Sequence, residues 1–401
     1  MNTASVKPEF PVDMDCTVAM EKLHLEDHDG SFPVGVTSPG PSGEGNVTSQ
    51  FNVAKAEPSD SMVEVRKTET MGCSLFATQK IPRGTRIVSE EPLAELPDPV
   101  YRSELIERFC AMALQLPNEK IVTFSRLYCN KTVLEKTDRD VILEWYNKNS
   151  VTDANGEELK GRKRQEHRKK MLKWFGIFLT NSSGHIMNSQ KGRGVFTVFS
   201  RINHSCVPNA RYGWNDTIKR LTVHVGRDIE KDEQIFVSYL PLAYERRAER
   251  VKSLKETWGF ECACKACLNP DTDVGRVQMG IMRDLVTSYE NGDDRFPRLM
   301  NLVPIQTREE ALEMTSQMAK LMVSEGLVTM DLATLYRSCS RYCAWLGDLD
   351  KAIEYAEKAL DIERCLIGPE TKHLMENLEG CQYWLAHLQT LKATGNAQTD
   401  D

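Results

Sequence analysis

The chain has 401 residues, 40% of them hydrophobic, and a formal net charge of -7. That length accommodates about two domains with a sizeable core, and the negative balance excludes wholesale electrostatic binding to nucleic acid or an anionic membrane as the default mode. No apolar run approaches the ~20 residues of a membrane span. Early acids at Glu9 and Asp13, with no apolar stretch, do not read as a secretory signal. An intracellular setting, nuclear or cytoplasmic, is therefore expected, where the twelve cysteines are free thiols, metal ligands or small buried hydrophobes and not disulfides.

Residues 1–61 mix Pro, Gly, Ser, Thr and acids without periodicity, which predicts a disordered leader. Strand-like runs begin at Val63. Cys73–Ala77 and Arg86–Ser89, separated by a turn at Pro82 and Gly84, predict a hairpin-style opening to a β-rich domain. Between Pro97 and about Thr180 the spacing becomes helical, with Leu105, Phe109, Met112 and Leu116 on one face and Val141 and Trp145 on another, as expected of a helical insertion. Its basic run, Lys160 to Lys173, fits a localisation signal, a contact to an acidic partner, or simply a solvated helix face.

Strand signals return at Val195–Phe199, Leu221–Val225 and Ile235–Ser238, with Arg227–Glu233 as a polar turn. After Cys267 the pattern is helical almost to the end. Gly347 to Ala352, followed by Tyr355, Ala356, Ala359 and Leu360, has the small-and-large spacing of one tetratricopeptide-type helix pair. One unit is too few for a free-standing solenoid, so a repeat-like helical domain packed on the first domain is expected over 269–395.

Two constellations carry chemistry. Cys262, Cys264 and Cys267 form C-x-C-x-x-C, three thiols close enough for one ion but one ligand short of tetrahedral zinc. Cys206 can supply the fourth. Such a four-thiolate zinc is closed and structural, pinning the segment after Tyr239 to the 203–209 loop; by spacing alone, three free thiols on a loop also fit. The second constellation is Asn203-His204-Ser205-Cys206-Val207-Pro208-Asn209 with Tyr239 closing an apolar run. A Cys-dependent hydrolase built on Cys206 and His204 is disfavoured. Residues two apart in a loop seldom present thiol and imidazole to each other, and a zinc-bound thiolate is not a free nucleophile.

These residues resemble the SET-domain protein lysine methyltransferases. Asn203–Asn209 is similar to their signature loop, Glu233–Tyr239 to the acidic turn and strand that end in the catalytic Tyr, and Phe260 with Cys262, Cys264 and Cys267 to the zinc-binding post-SET tail. Gly72–Ala77, Ile81–Gly84 and Glu90–Leu93 resemble the first SET strands. The trailing helices are similar to those of the SET-and-MYND subfamily and related fungal proteins. The resemblance implies an α+β fold: a pseudoknotted SET domain over 62–241 with its insert at about 97–180, a post-SET zinc segment over 242–268, and the helical domain behind it.

It further implies S-adenosylmethionine as methyl donor and a protein lysine, histone or non-histone, as acceptor. Direct sequence-specific contact with nucleic acid is not expected. The implied donor-binding residues are Gly72, Ser74, Leu75, Asn181, Asn203, His204, Tyr239 and Phe260, with Tyr239 catalytic and zinc structural; Asn181 also fits a plain helix C-cap. Three departures bear on activity. The insert holds only Cys110 and Cys129, too few for a MYND finger; Ser74 stands in place of a second Gly; and Trp258 stands where relatives carry a second active-site Tyr. The rival expectation is a catalytically weak SET scaffold that recruits partners through its helical tail.

Overall fold

The structure, a computed structural model, describes residues 62–99, 101–152, 156–187, 190–241, 244–369 and 380–395. The expected leader at 1–61 lies outside the described residues. Strand β1 (Val63–Thr68) and β2 (Gly72–Ala77) form an antiparallel ribbon from Val63↔Ala77 to Thr68↔Gly72. Gly72 begins β2 at φ 69°, a left-handed conformation that Gly adopts without a Cβ penalty. Strands β3 (Arg86–Glu90) and β4 (Ala94–Pro97) follow. The turn at Pro82 and Gly84 is present, with Thr85 bonded back to the Pro82 carbonyl. It does not close a hairpin, however: β2 pairs with β1, whereas β3 joins a distant strand. The expected opening hairpin is thus one element too late.

The insert supplies four helices, α1 (Arg102–Gln115), α2 (Asn118–Ser125), α3 (Lys136–Lys148) and α4 (Gly161–Asn181). Their apolar stripes meet around fully buried Phe109, whose ring lies 5.4 Å from Phe175 and 5.3 Å from Phe178. The α3 start is held by a reciprocal cap between Glu135 and Asp138, and Arg102 grips buried Asp138 through two 2.8 Å bonds. Cys110 is buried in this core and Cys129 is partly buried.

Strand β5 (Ser183–Met187) and β6 (Gln190–Val195) complete a sheet of order β4-β6-β5. The strand expected at Val195–Phe199 is corrected. β6 ends at Val195, and Phe199–Arg201 is a turn of 3-10 helix whose first amides donate to the buried Glu90 carboxylate at 2.7 and 2.9 Å. The apolar run continues there because Phe196 and Phe199 are buried around a bend, not along a strand. Then come β7 (Asn203–His204), β8 (Ala210–Asn215), β9 (Arg220–Val225) and β10 (Phe236–Val237). They make a sheet of order β3-β9-β8 and a short parallel pair, β10-β7.

The remainder is helical: α5 (Arg247–Trp258), α6 (Lys265–Leu268), α7 (Asp271–Glu290), α8 (Arg295–Leu299), α9 (Arg308–Ser324), α10 (Met330–Trp345), α11 (Leu349–Ile367) and α12 (Cys381–Thr394). Small residues Ala352, Ala356 and Ala359 of α11 are buried, and the buried Ser340 hydroxyl of α10 donates to the Ala352 carbonyl at 2.6 Å. Helix α11 also meets the sheet, its Cys365 thiol donating to the Val225 carbonyl at 3.4 Å while Asp361 pairs with Arg83 at 2.8 Å. No described helix is long and apolar enough to cross a membrane.

Candidate active site and thiol cluster

The short β7/β10 pair assembles the site. Asn203 lies opposite Phe236 and His204 opposite Val237, and the Ser205 amide donates to the Val237 carbonyl at 3.0 Å. Asn209 secures the same junction from its side chain: its carbonyl accepts from the Phe236 amide at 2.7 Å and its NH2 donates to Gln234 O at 2.9 Å. These contacts lock the signature loop alongside the strand leading to Tyr239.

At one end, Asn203 reaches the start of β2. Its amide donates to Ser74 Oγ at 2.6 Å, with the Cys73 and Met71 carbonyls at 3.5 and 3.4 Å. The space above Gly72 is open, with nothing within 4 Å of a Cβ placed there. Leu75 and Ser74 are buried beneath. At the other end, the Tyr239 hydroxyl donates to the Ile202 carbonyl at 2.6 Å. Its ring lies 5.0 Å from Trp258 and 6.4 Å from Phe260, and burial pushes its phenol well above the ordinary range, so it stays protonated. Gly259, at φ 78°, ends α5 and turns the chain between Trp258 and Phe260; a Cβ there would strike Asn130 Oδ1 at 2.8 Å.

His204 links these groups to the cysteines. Its Nδ1 accepts from the Tyr239 backbone amide at 2.9 Å, which leaves the proton on Nε2, and Nε2 lies 3.3 Å from Cys206 Sγ. Burial, helped by the Arg250 charge, lowers its pKa to about 4, so the ring is neutral. The expectation that His204 and Cys206 would not face each other is therefore wrong: β7 ends at His204, and the following bend brings the thiol back to the ring. This does not revive a nucleophilic Cys206, because that sulfur is also part of the cluster.

Cys206, Cys262, Cys264 and Cys267 offer four sulfurs all within 4.8 Å of one another. Zinc–sulfur bonds of about 2.3 Å place tetrahedral sulfurs about 3.8 Å apart; Cys206 lies 3.5 Å from Cys267 and 4.0 Å from Cys262. The donor set and spacing fit a structural zinc. Shared S–H···S contacts hold Cys264 and Cys267 below the ordinary thiol range and Cys206 and Cys262 above it.

Two residues missed in the sequence complete the cluster. Arg250 and Arg276 are 1% and 0% exposed. Arg250 Nη2 points to Cys267 Sγ at 3.8 Å and Arg276 Nη2 donates to the Cys206 carbonyl at 3.2 Å. The Nε atoms of both, and Nη1 of Arg276, have no hydrogen-bond partner. Buried cations require counter-charge, and four thiolates around a divalent ion leave two negative charges to balance them. In the sequence both look like ordinary helix charges, so no local signal marks them.

Asn181 is the last residue of α4, and its amide donates to the Tyr128 and Ile177 carbonyls, both at 2.7 Å. Only its Oδ1 is left for a ligand; the side chain braces the helix end. Phe260 stands at the shared edge, 6.2 Å from His204 and facing Tyr239 edge-on.

Residues 72–240 match the family model of the SET domain. That stretch is similar to the SET domain. It is 27% identical over 287 residues to histone-lysine N-methyltransferase set5 of Schizosaccharomyces pombe, covering 72% of this chain and 73% of that one. With human N-lysine methyltransferase SMYD2 it shares 25% identity over 207 residues, 49% of this chain but only 45% of the relative's length. The chain is thus similar, in its SET-matching part, to proteins named as lysine methyltransferases. Among solved structures, the SET domain of LSMT bound to lysine and AdoHcy aligns over 84% of this chain and 88% of that one at 12% identity, with a TM-score of 0.29.

Proposed function

We propose that the protein is an S-adenosylmethionine-dependent protein-lysine N-methyltransferase whose acceptor is a histone or non-histone protein lysine. The observation that carries this reading is the β7/β10 junction, which joins an open backbone cradle at Gly72 and Asn203 to the protonated hydroxyl of half-buried Tyr239. The residues present fit the donor. Asn203, the β2 backbone at Gly72–Leu75 and the Phe260 ring would hold it, His204 would act by fixing the Tyr239 backbone, and Asn181 through Oδ1 alone. Bound donor supplies a methyl group on an already activated sulfonium.

What the chain must do is deliver a neutral amine in line, a matter of alignment and desolvation. A free lysine amine has a pKa near 10.4. Aromatic walls from Tyr239, Trp258 and Phe260 exclude water around it and favour the uncharged form. Tyr239 commits its proton to Ile202 O, so its oxygen lone pairs are free to accept an N–H from the amine and orient the nitrogen. Trp258, with a larger ring and only an N–H to offer, narrows the channel from the side where a second Tyr would stand.

Zinc on the four cysteines would be structural, holding Phe260 and Trp258 against the signature loop. The division into a SET region over 62–241, a post-SET segment over 242–268 and a repeat-like helical domain over 269–395 goes with this reading, as does nuclear or cytoplasmic residence; fluorescence imaging of the tagged chain checks the latter. The functional test is transfer of tritium from labelled S-adenosylmethionine to lysine in a panel of histones and cell-extract proteins. Tyr239→Phe should lower the rate by about 10² to 10⁴-fold, the range for loss of one positioned polar group. Equal rates for both proteins would remove Tyr239 from its role.

A further inference from the structure

The basic run of the insert divides into residues with different tasks. Arg164 turns inward, donating to the Leu159 and Asn149 carbonyls and lying over the Tyr146 ring. Arg162 pairs with Glu166 one helical turn away at 2.8 Å. Lys169 and Lys173 do neither. With Lys131, Lys136 and Arg139 they surround a cavity of about 810 Å3 between α3 and α4.

All five side chains are exposed, and none forms an ion pair with a described residue. The one acid at this rim, Glu135, belongs to the α3 cap and lies 3.5 Å from Arg102. A chain of net charge -7 therefore concentrates five uncompensated cations around one concavity. Water and salt screen part of the repulsion among them, and an anionic occupant would relieve the rest. The floor is apolar, formed by Cys129, Leu134 and Leu172.

We propose that this groove docks an acidic protein segment carrying an aliphatic side chain among its Asp and Glu residues. Carboxylates complement the lysine rim and the aliphatic group covers the Leu134–Leu172 floor. Nucleic acid fits less well: no aromatic ring among the described residues lines the groove to stack a base. The site also abuts the active centre. Asn130, adjacent to Lys131, donates to the Thr257 carbonyl at 3.0 Å, and the next residue is Trp258. Docking itself is independent of methyl transfer.

The test is fluorescence anisotropy with the full-length, zinc-loaded protein and a short fluorescein-labelled peptide rich in Glu and Asp with a single central Leu. Saturable binding that weakens as salt rises is expected. Lys136→Glu combined with Arg139→Glu should weaken it by about tenfold or more, with Lys169→Glu as an independent variant on the opposite wall. Lys320→Glu, at an exposed position of α9, should change nothing. Replacing the peptide Leu by Gly should also weaken binding several-fold. Absence of saturable binding at low salt, equal loss in the Lys320 control, or tighter binding of DNA of matched charge would each overturn the proposal, the last in favour of a nucleic-acid groove. Thermal melting of each variant separates lost docking from lost folding.

Discussion

The core of the helical insert and the seam around Cys206 are both buried, but they reach stability by different routes. In the insert, Ile106, Phe109, Ile142, Phe175 and Phe178 are almost fully buried, and the buried carboxylate of Asp138 meets Arg102 in a bidentate pair. That core is complete as it stands. In the seam, Leu240, Leu254 and Ala266 are buried with Trp258 and Phe260 packed against them, three of the four cysteines are buried, and Arg250 and Arg276 bring two buried cations, one of them 3.9 Å from Asp273, whose Nε atoms lack partners. The comparison teaches that the insert folds on hydrophobic burial, whereas the seam sets two buried arginines beside four thiols, a charge pattern that thiolates around a cation would balance.

Metal removal should break the comparison most visibly. Binding energy at a structural zinc is folding energy, so a strong chelator should expose amides over 203–209 and 258–268 to hydrogen exchange while those of α1 and α4 keep their protection. Uniform deprotection would show that the two regions do not differ as described. The reciprocal experiment is Phe109→Ala, which should cost about 3–5 kcal/mol of stability, as for other buried aromatics, and leave the zinc content at one per chain by mass spectrometry. A smaller effect is expected from Arg276→Met, which keeps the stem volume but removes the charge. Zinc affinity should fall by about 10- to 100-fold, the scale for outer-shell partners. Unchanged affinity with raised stability would mean that Arg276 is a tolerated buried charge and not a counter-ion.

Much of this architecture was legible in the residues, for identifiable reasons. The thiol set could be read because zinc demands close Cys spacing, and the structure brings Cys206 to the other three. β9 and β10 were visible because apolar runs there are bounded by the polar 227–233 turn. β8 was not, since Arg211-Tyr212-Gly213-Trp214 has neither clean alternation nor β-branched residues. The Phe196–Phe199 run read as strand because a buried bend and a buried strand share composition; only the Glu90 carboxylate, remote in sequence, decides for the bend. The His204–Cys206 contact and the two arginines arise from tertiary packing that no local spacing encodes.

The central claim is that the cradle at Gly72 and Asn203 holds a methyl donor beside Tyr239. Isothermal titration of the zinc-loaded protein with S-adenosylmethionine tests it most directly, run beside Asn203→Ala at matched zinc content. The account predicts saturable binding at one site per chain, weakened about tenfold or more in the variant through loss of its hydrogen bonds. A folded, zinc-containing protein that gives no binding heat and no competition with labelled donor would contradict it.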